Sequence, residues 1–255
     1  MTDSILLYDG SFNGLLSSIF YVYDSKLKNV TIQQKDKPIP MFGETISIDT
    51  EIEKSKRVWK AIRKKSKNSL SFYYTFLSER EDMERTLLAY ARYVLDSTSN
   101  IAGDYGHETV LQVAKIAKSV GREKHRMEAF VRFRLMKDDI YFATIEPDFN
   151  VLPIILKHFK SRYADQEWII YDLQRKYGIH YDLKGVKEIQ FEFEKNFKPT
   201  ETSETIFAME ELEFQELWKN YFKSTNIASR KNMRLHLRHV PKRYWKYLSE
   251  KQRLT

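Results

Sequence analysis

One stretch restricts the fold more than any other. From Ala129 to Ile145, Val131, Phe133 and Leu135 alternate with Phe130, Arg132 and Arg134; Lys137-Asp138-Asp139 then leads into Ile140-Tyr141-Phe142-Ala143-Thr144-Ile145, and Pro147 follows. Period-two alternation puts apolar side chains on one face and arginines on the other, so the segment reads as a β-hairpin with the polar triplet as its turn. A three-residue turn sets Arg134 across from Phe142 and Arg132 across from Thr144, with Glu146 within diagonal reach of Arg132. A slip of one residue changes these partners. The arginine face has two readings. One is a cross-strand ion-pair ladder; the other is a platform for phosphates or bases, with His125 and Arg126 at its edge.

The flanking sequence alternates helical and extended patterns. Ile5 to Tyr8 reads as a short buried strand, Asp9-Gly10-Ser11 as a turn, and Phe12 to Asp24 as a helix, with Leu15, Leu16, Ile19, Phe20 and Tyr23 at helical spacing. Val30–Ile32 and Ile46–Ile48 are weaker strand candidates. Thr50 and Glu53 form a capping-box pattern for a helix that carries eight bases and no acid between Lys54 and Lys67. Such a helix is most simply a solvated face. Residues 79–97 and 107–124 read as an antiparallel helix pair, 151–163 as a helix, and 167–172 and 186–194 as strands. Residues 201–216 hold six acids and no base and run into a helix ending near Phe222. This order predicts an α+β fold whose mixed or antiparallel sheet has the hairpin (about 129–146) at its centre, flanked by helices. A three-layer, doubly wound α/β arrangement is the alternative, ranked second because regular βαβ alternation is lacking.

Composition narrows the function. With 255 residues, 42% of them apolar, and 16 Tyr, 16 Phe and 4 Trp, the chain is globular. It has no cysteine, which excludes disulfides, thiolate metal sites, iron–sulfur clusters and a cysteine nucleophile. The acidic start Met1-Thr2-Asp3-Ser4 and the lack of a long apolar run give no sign of a signal peptide or a membrane span, and a cytoplasmic location is expected. Charge is strongly segregated. Residues 223–255 carry ten Lys/Arg and one acid, leaving 33 bases against 34 acids in residues 1–222. The division expected is a near-neutral α+β domain over 1–222 and a basic C-terminal arm over 223–255. Such segregation is the footprint of a polyanionic partner.

Within the arm, Arg230, Lys231, Arg234 and Arg238 recur at helical spacing, so one face can follow a phosphate backbone. Lys242, Arg243, Tyr244, Trp245, Lys246 and Tyr247 interleave bases with aromatics. Exposed rings there would stack on unpaired bases; alternatively Tyr244, Trp245 and Leu248 pack the arm onto the body. His158 and Arg162 lie four apart on one helix, with Asp172 and Arg175 beyond the next strand. His158 has two readings: a general base oriented by Asp172 or Glu146, and a packed residue, the commoner state of an isolated His on an apolar helix. The six histidines show no metal-ligand spacing; His236 and His239 lack a third ligand, so no metal and no cofactor are expected. No phosphate-binding loop of the G-x-x-x-x-G-K-[ST] type is present.

Several blocks carry a family likeness: Tyr8-Asp9-Gly10-Ser11-Phe12-Asn13-Gly14; Glu123-Lys124-His125-Arg126-Met127 with Phe130-Val131-Arg132-Phe133; Ala143-Thr144-Ile145-Glu146-Pro147; His158-Phe159 and Arg162; Trp168-Ile169-Ile170-Tyr171-Asp172; Arg175-Lys176-Tyr177-Gly178; and Pro241 to Leu248. Over essentially the whole chain these resemble a bacterial family of unknown function associated with DNA metabolism and DNA repair. The resemblance implies a partner of a radical-SAM protein thought to act on DNA. Related sequences are fused ahead of a uracil-DNA-glycosylase-like domain. It brings no catalytic residues with it. The function expected is a nucleic-acid-binding accessory protein that acts with a partner enzyme of the radical-SAM or glycosylase-like kind. The arginines at 126, 132, 134 and 162 and the arm residues Arg230, Lys231, Arg234, Arg238, Lys242, Arg243, Tyr244 and Trp245 are its contacts. The rivals are an enzyme with a site around His125, Glu146, His158 and Asp172, and an RNA-binding protein.

Overall fold

The computed structural model describes residues 4–38, 43–66, 68–97, 101, 103–191, 193, 206–225 and 232–251. The chain divides into two compact units, Met1–Arg122 and Glu123–Thr255. Helices and two sheets, one parallel and one mixed and open, make it α+β. No helix among the described residues is long and apolar enough to cross a membrane.

In the first unit, β1 (Ser4–Tyr8) is buried along its whole length because it is the middle of a three-stranded parallel sheet, between β2 (Val30–Gln34) and β3 (Glu44–Ser47). A strand covered on both faces reads as the continuous apolar run seen here. Gly10, at φ +81°, turns the chain, and the Ser11 hydroxyl accepts the Gly14 N–H at 2.9 Å to start α1 (Phe12–Asp24). The basic helix α2 (Ile52–Lys65) buries Val58 and Ile62, four apart, against α1. Its start differs from the capping box expected. Glu51 is the N-cap without a side-chain bond, and the Thr50 hydroxyl donates to Asp9 at 2.7 Å instead. Helix α3 (Ser69–Phe76), which has no clear pattern in sequence, and α4 (Met83–Asp96) complete this core around Phe72, Tyr90 and Val94.

Helix α5 (Glu108–Phe130) runs from the first unit into the second. It extends six residues past the expected end and takes up the start of the expected hairpin. The hairpin is therefore β4 (Arg134–Leu135) paired with β5 (Tyr141–Ile145), with Arg134 across from Phe142 as the turn length dictates. Arg132 lies outside the ladder, so its pairing with Thr144 and its diagonal approach to Glu146 do not occur. The hairpin is also at the sheet edge, in the order β4-β5-β6-β7-β8. Helix α6 (Leu152–Arg162) links β5 to its parallel neighbour β6 (Trp168–Asp172); β7 (Tyr177–Tyr181) and β8 (Val186–Ile189) follow antiparallel. The core here is aromatic. Trp168, fully buried, lies 5.5 Å from Tyr181 and 6.3 Å from Phe159, and Phe133 sits edge-on to Phe159 at 5.7 Å. Residues 206–208 run beside β4, and α7 (Met209–Thr225) starts from there; α8 (Met233–His239) and two 3-10 turns, Lys242–Tyr247 and Ser249–Lys251, close the unit.

Candidate nucleic-acid interface

The second unit contains a cleft of about 720 Å³. Its floor is the segment from Val131 to Arg134 with Tyr141 and Thr144 of β5. One side is the end of α6, with Arg162, Tyr163 and Gln166. Residues of α7 (Glu211, Phe214, Gln215, Leu217, Trp218 and Tyr221) also line it, with Tyr247 and Ser249 of the C-terminal turns. The Leu135 N–H donates to Glu211 at 2.9 Å, and Ala208 N–H to the Leu135 carbonyl at 3.0 Å, which fixes the first turn of α7 to the sheet edge.

Charge and ring character are unevenly placed in this cleft. Arg134 is buried, with its guanidinium 4.4 Å over the Phe207 ring. Burial pushes it down to about 10, opposed by the charge of Glu211. Glu211 is itself buried and also accepts Gln215 at 2.8 Å. Arg132 donates to Glu250 at 2.9 Å, and the second oxygen of that carboxylate accepts the Trp218 indole N–H at 3.1 Å. Burial raises the Glu250 carboxyl, but the Arg132 bond and charge, together with the indole, outweigh it and hold it below the usual range. Arg162 is exposed and lies 5.7 Å over the Tyr163 ring. Along α7, Phe214, Leu217, Trp218 and Tyr221 are 59%, 64%, 41% and 59% exposed, and the Trp218 and Tyr221 rings stack at 5.6 Å.

The C-terminal residues divide between packing and exposure. Tyr244 and Leu248 are buried, and the Trp245 indole donates to the Val240 carbonyl at 3.0 Å, so these groups pack within the unit and Tyr244 presents no face to a base. Arg243 pairs with Glu123 at 3.0 Å and with Asp148. Lys246 and Tyr247 both donate to Glu146. Arg234, Arg238 and Lys242 are exposed, whereas Arg230 and Lys231 lie outside the described residues. Among the described residues, no carboxylate lies within ion-pair distance of Arg162, Arg234, Arg238 or Lys242. Arg126 approaches Glu123 at 3.4 Å. In the first unit, Lys54 and Lys56 of α2 pair with Glu51 and Glu53, and Lys65 donates to the Leu95 and Ser97 carbonyls, so part of that basic helix is locally satisfied.

The four residues considered for catalysis do not line the cleft. His125 is exposed on α5, and His158 sits edge-on to Phe159 at 5.0 Å. Asp172 is fully buried. Its oxygens accept the Gln174 and Arg175 N–H groups at 2.9 and 3.1 Å and the Arg175 guanidinium at 2.9 Å; burial still leaves the carboxyl above its ordinary range. Glu146 follows Ile145, which pairs with Asp172 across the ladder, so these two acids do come together, around the Tyr247 phenol. Both are engaged by bases or hydroxyls. No group of three or more potential metal ligands occurs among the described residues. The aromatic face of α7 escapes sequence reasoning, because apolar residues at 214, 217, 218 and 221 read as an ordinary buried stripe.

A family model described as a domain of unknown function, DUF4130, matches residues 81–250, and the chain belongs to that family. No curated protein matches it, and no solved structure does.

Proposed function

We propose that this member of the DUF4130 family is a nucleic-acid-binding accessory protein of DNA metabolism that acts with a partner enzyme. The observation that carries the reading is that four of the expected contacts, Arg162, Arg234, Arg238 and Lys242, face solvent and no described carboxylate pairs with them. Arg132, Arg243 and Lys246, by contrast, have acids of their own. Surface cations of this kind supply salt-dependent affinity for phosphates by releasing condensed counterions. The accessory role is supported by the engagement of Glu146 and Asp172 in hydrogen bonds and ion pairs, which leaves neither poised as a general base. Residue blocks at 123–133, 143–147, 168–178 and 241–248 support a radical-SAM or glycosylase-like protein as the partner, through the resemblance they carry.

The test is a fluorescence-anisotropy titration of duplex DNA, single-stranded DNA and RNA across a range of salt. Affinity should fall linearly with salt on a logarithmic plot. The triple variant R234A/R238A/K242A should reduce that slope by about 2–3, at roughly 0.7–0.9 for each phosphate that is no longer neutralised. A salt-independent affinity, or an unchanged slope in the triple variant, would contradict the reading. Preference for RNA would move the protein to RNA metabolism.

A further inference from the structure

We infer that the cleft of the second unit holds unpaired nucleotides of a single strand, with bases on the Trp218 and Tyr221 rings and a phosphate on Arg162; this rests on the nucleic-acid reading above. Four neighbouring residues of one helix face, at 214, 217, 218 and 221, are 41–64% exposed. A helix face of this kind is normally buried, and left open it marks a binding surface. Three of the four side chains are aromatic. Trp218 is held by its N–H on Glu250, which fixes the indole edge, and its ring stacks on Tyr221 at 29° between planes. Ring faces presented this way match planar bases, because every base offers a π-face whatever its identity.

In the same lining, Arg162 supplies a cation with no acid partner among the described residues. The lining also includes Gln166, whose amide can both donate to and accept from a base edge. This amide and the arginine bear on the choice of occupant. An acidic amphipathic helix would satisfy the arginine but would cover the Gln166 amide with apolar side chains, which is costly. A base-paired duplex hides its ring faces in the stack, and a cleft of 720 Å³ is in the range that encloses a small ligand rather than a double helix. Unpaired nucleotides offer planar rings, hydrogen-bonding edges and phosphates together.

The experiment compares a 12-nucleotide DNA strand, an RNA strand of the same length, a blunt 12-base-pair duplex and an acidic amphipathic peptide as ligands. The proteins are the full chain, W218A/Y221A and W218F/Y221F, each first shown to melt within a few degrees of the parent. Single strands should bind at least about tenfold more tightly than the duplex. W218A/Y221A should lose at least about tenfold on single strands with its salt slope kept, since each stacked ring is worth roughly 5- to 150-fold. W218F/Y221F, which keeps rings but loses the indole N–H, should stay within about threefold of the parent. The DNA and RNA arms show which sugar is preferred. Salt-dependent binding that is equal for duplex and single strand and indifferent to W218A/Y221A would overturn the cleft assignment while leaving the nucleic-acid reading intact. Tight binding of the peptide with a drop on W218A/Y221A would overturn it in favour of a protein partner. Absence of binding to every nucleic acid would remove the nucleic-acid reading and the cleft assignment with it.

Discussion

The Tyr244 hydroxyl donates to the buried Glu123 carboxylate at 2.5 Å, across 121 positions of chain. Glu123 also accepts the Asp148 N–H at 3.0 Å and Arg243 at 3.0 Å, so one carboxylate joins α5, the loop after β5 and the C-terminal turn of the second unit. The phenol is pushed well above its usual range by burial and then by Glu123, so it stays protonated and donates at any physiological pH. Tyr244→Phe keeps the ring, which lies 5.4 Å from Phe130, and removes only the donor. It should cost about 1.5–3 kcal/mol, the range for a hydrogen bond to a charged group. Urea denaturation reads this directly, and an unchanged midpoint would show that the bond contributes nothing.

Acid should weaken the same C-terminal closure. Burial raises Glu146, but the bonds from Lys246 and Tyr247 outweigh it and hold the carboxyl below its ordinary range; Glu250 is lowered likewise by Arg132. Depressed folded-state values mean that the unfolded chain binds more protons, so this stability is complete above the usual glutamate range near pH 4.3 and is lost as pH falls through the lower folded values. Melting temperature followed from pH 7 to pH 3 should therefore drop, and the drop should be shallower in E146Q/E250Q. A steeper drop in that variant would refute the assignment.

Gly178 is fixed by packing. A Cβ there would lie 2.8 Å from Tyr171 Cδ2 and 2.9 Å from the Ile170 carbonyl oxygen, in the ladder between β6 and β7. Backbone cannot yield cheaply at such a distance, so Gly178→Ala should destabilise the fold by about 1–3 kcal/mol, as overpacking does. Thermal melting of the variant is the check, with no shift as the contrary outcome.

Much of this architecture is legible in the sequence, and the misses have physical causes. The strand at Trp168–Asp172 and the helix at Leu152–Arg162 follow from short apolar runs bounded by polar turns. The Arg134–Phe142 register follows from turn length alone. The alternation at 129–133 misleads, because α5 continues to Phe130 and residues 131–133 join neither the helix nor the ladder. Strand β7, Tyr177-Gly178-Ile179-His180-Tyr181, hides because glycine in a strand reads as a break, although here it marks close approach of the neighbouring chain. The charge of residues 223–255 is visible in composition, but which bases are paired depends on contacts from Glu123, Glu146 and Asp148, about a hundred positions away. The cleft is the least legible feature. Its rings lie on a helix whose spacing predicts burial, and only the fold leaves them open.

Glu250 links charge to rings in that cleft, since one carboxylate holds both Arg132 and Trp218. Glu250→Gln removes a negative charge beside the cleft and releases Arg132 for a phosphate. On a single strand the salt slope should steepen by about 0.7, the value of one further neutralised phosphate. Parallel titrations of parent and variant measure it; weaker binding with an unaltered slope would mean that Glu250 serves only to position Trp218.

The most direct measurement is ultraviolet cross-linking of the protein to a short single strand, with the linked residues mapped by mass spectrometry. Cross-links are expected on the 209–225 segment at Trp218 or Tyr221, with Tyr163 of the same lining as the next site, and they should fall away as salt rises. Cross-links confined to the first unit, or none from a strand that is demonstrably bound, would contradict a nucleic-acid site in this cleft.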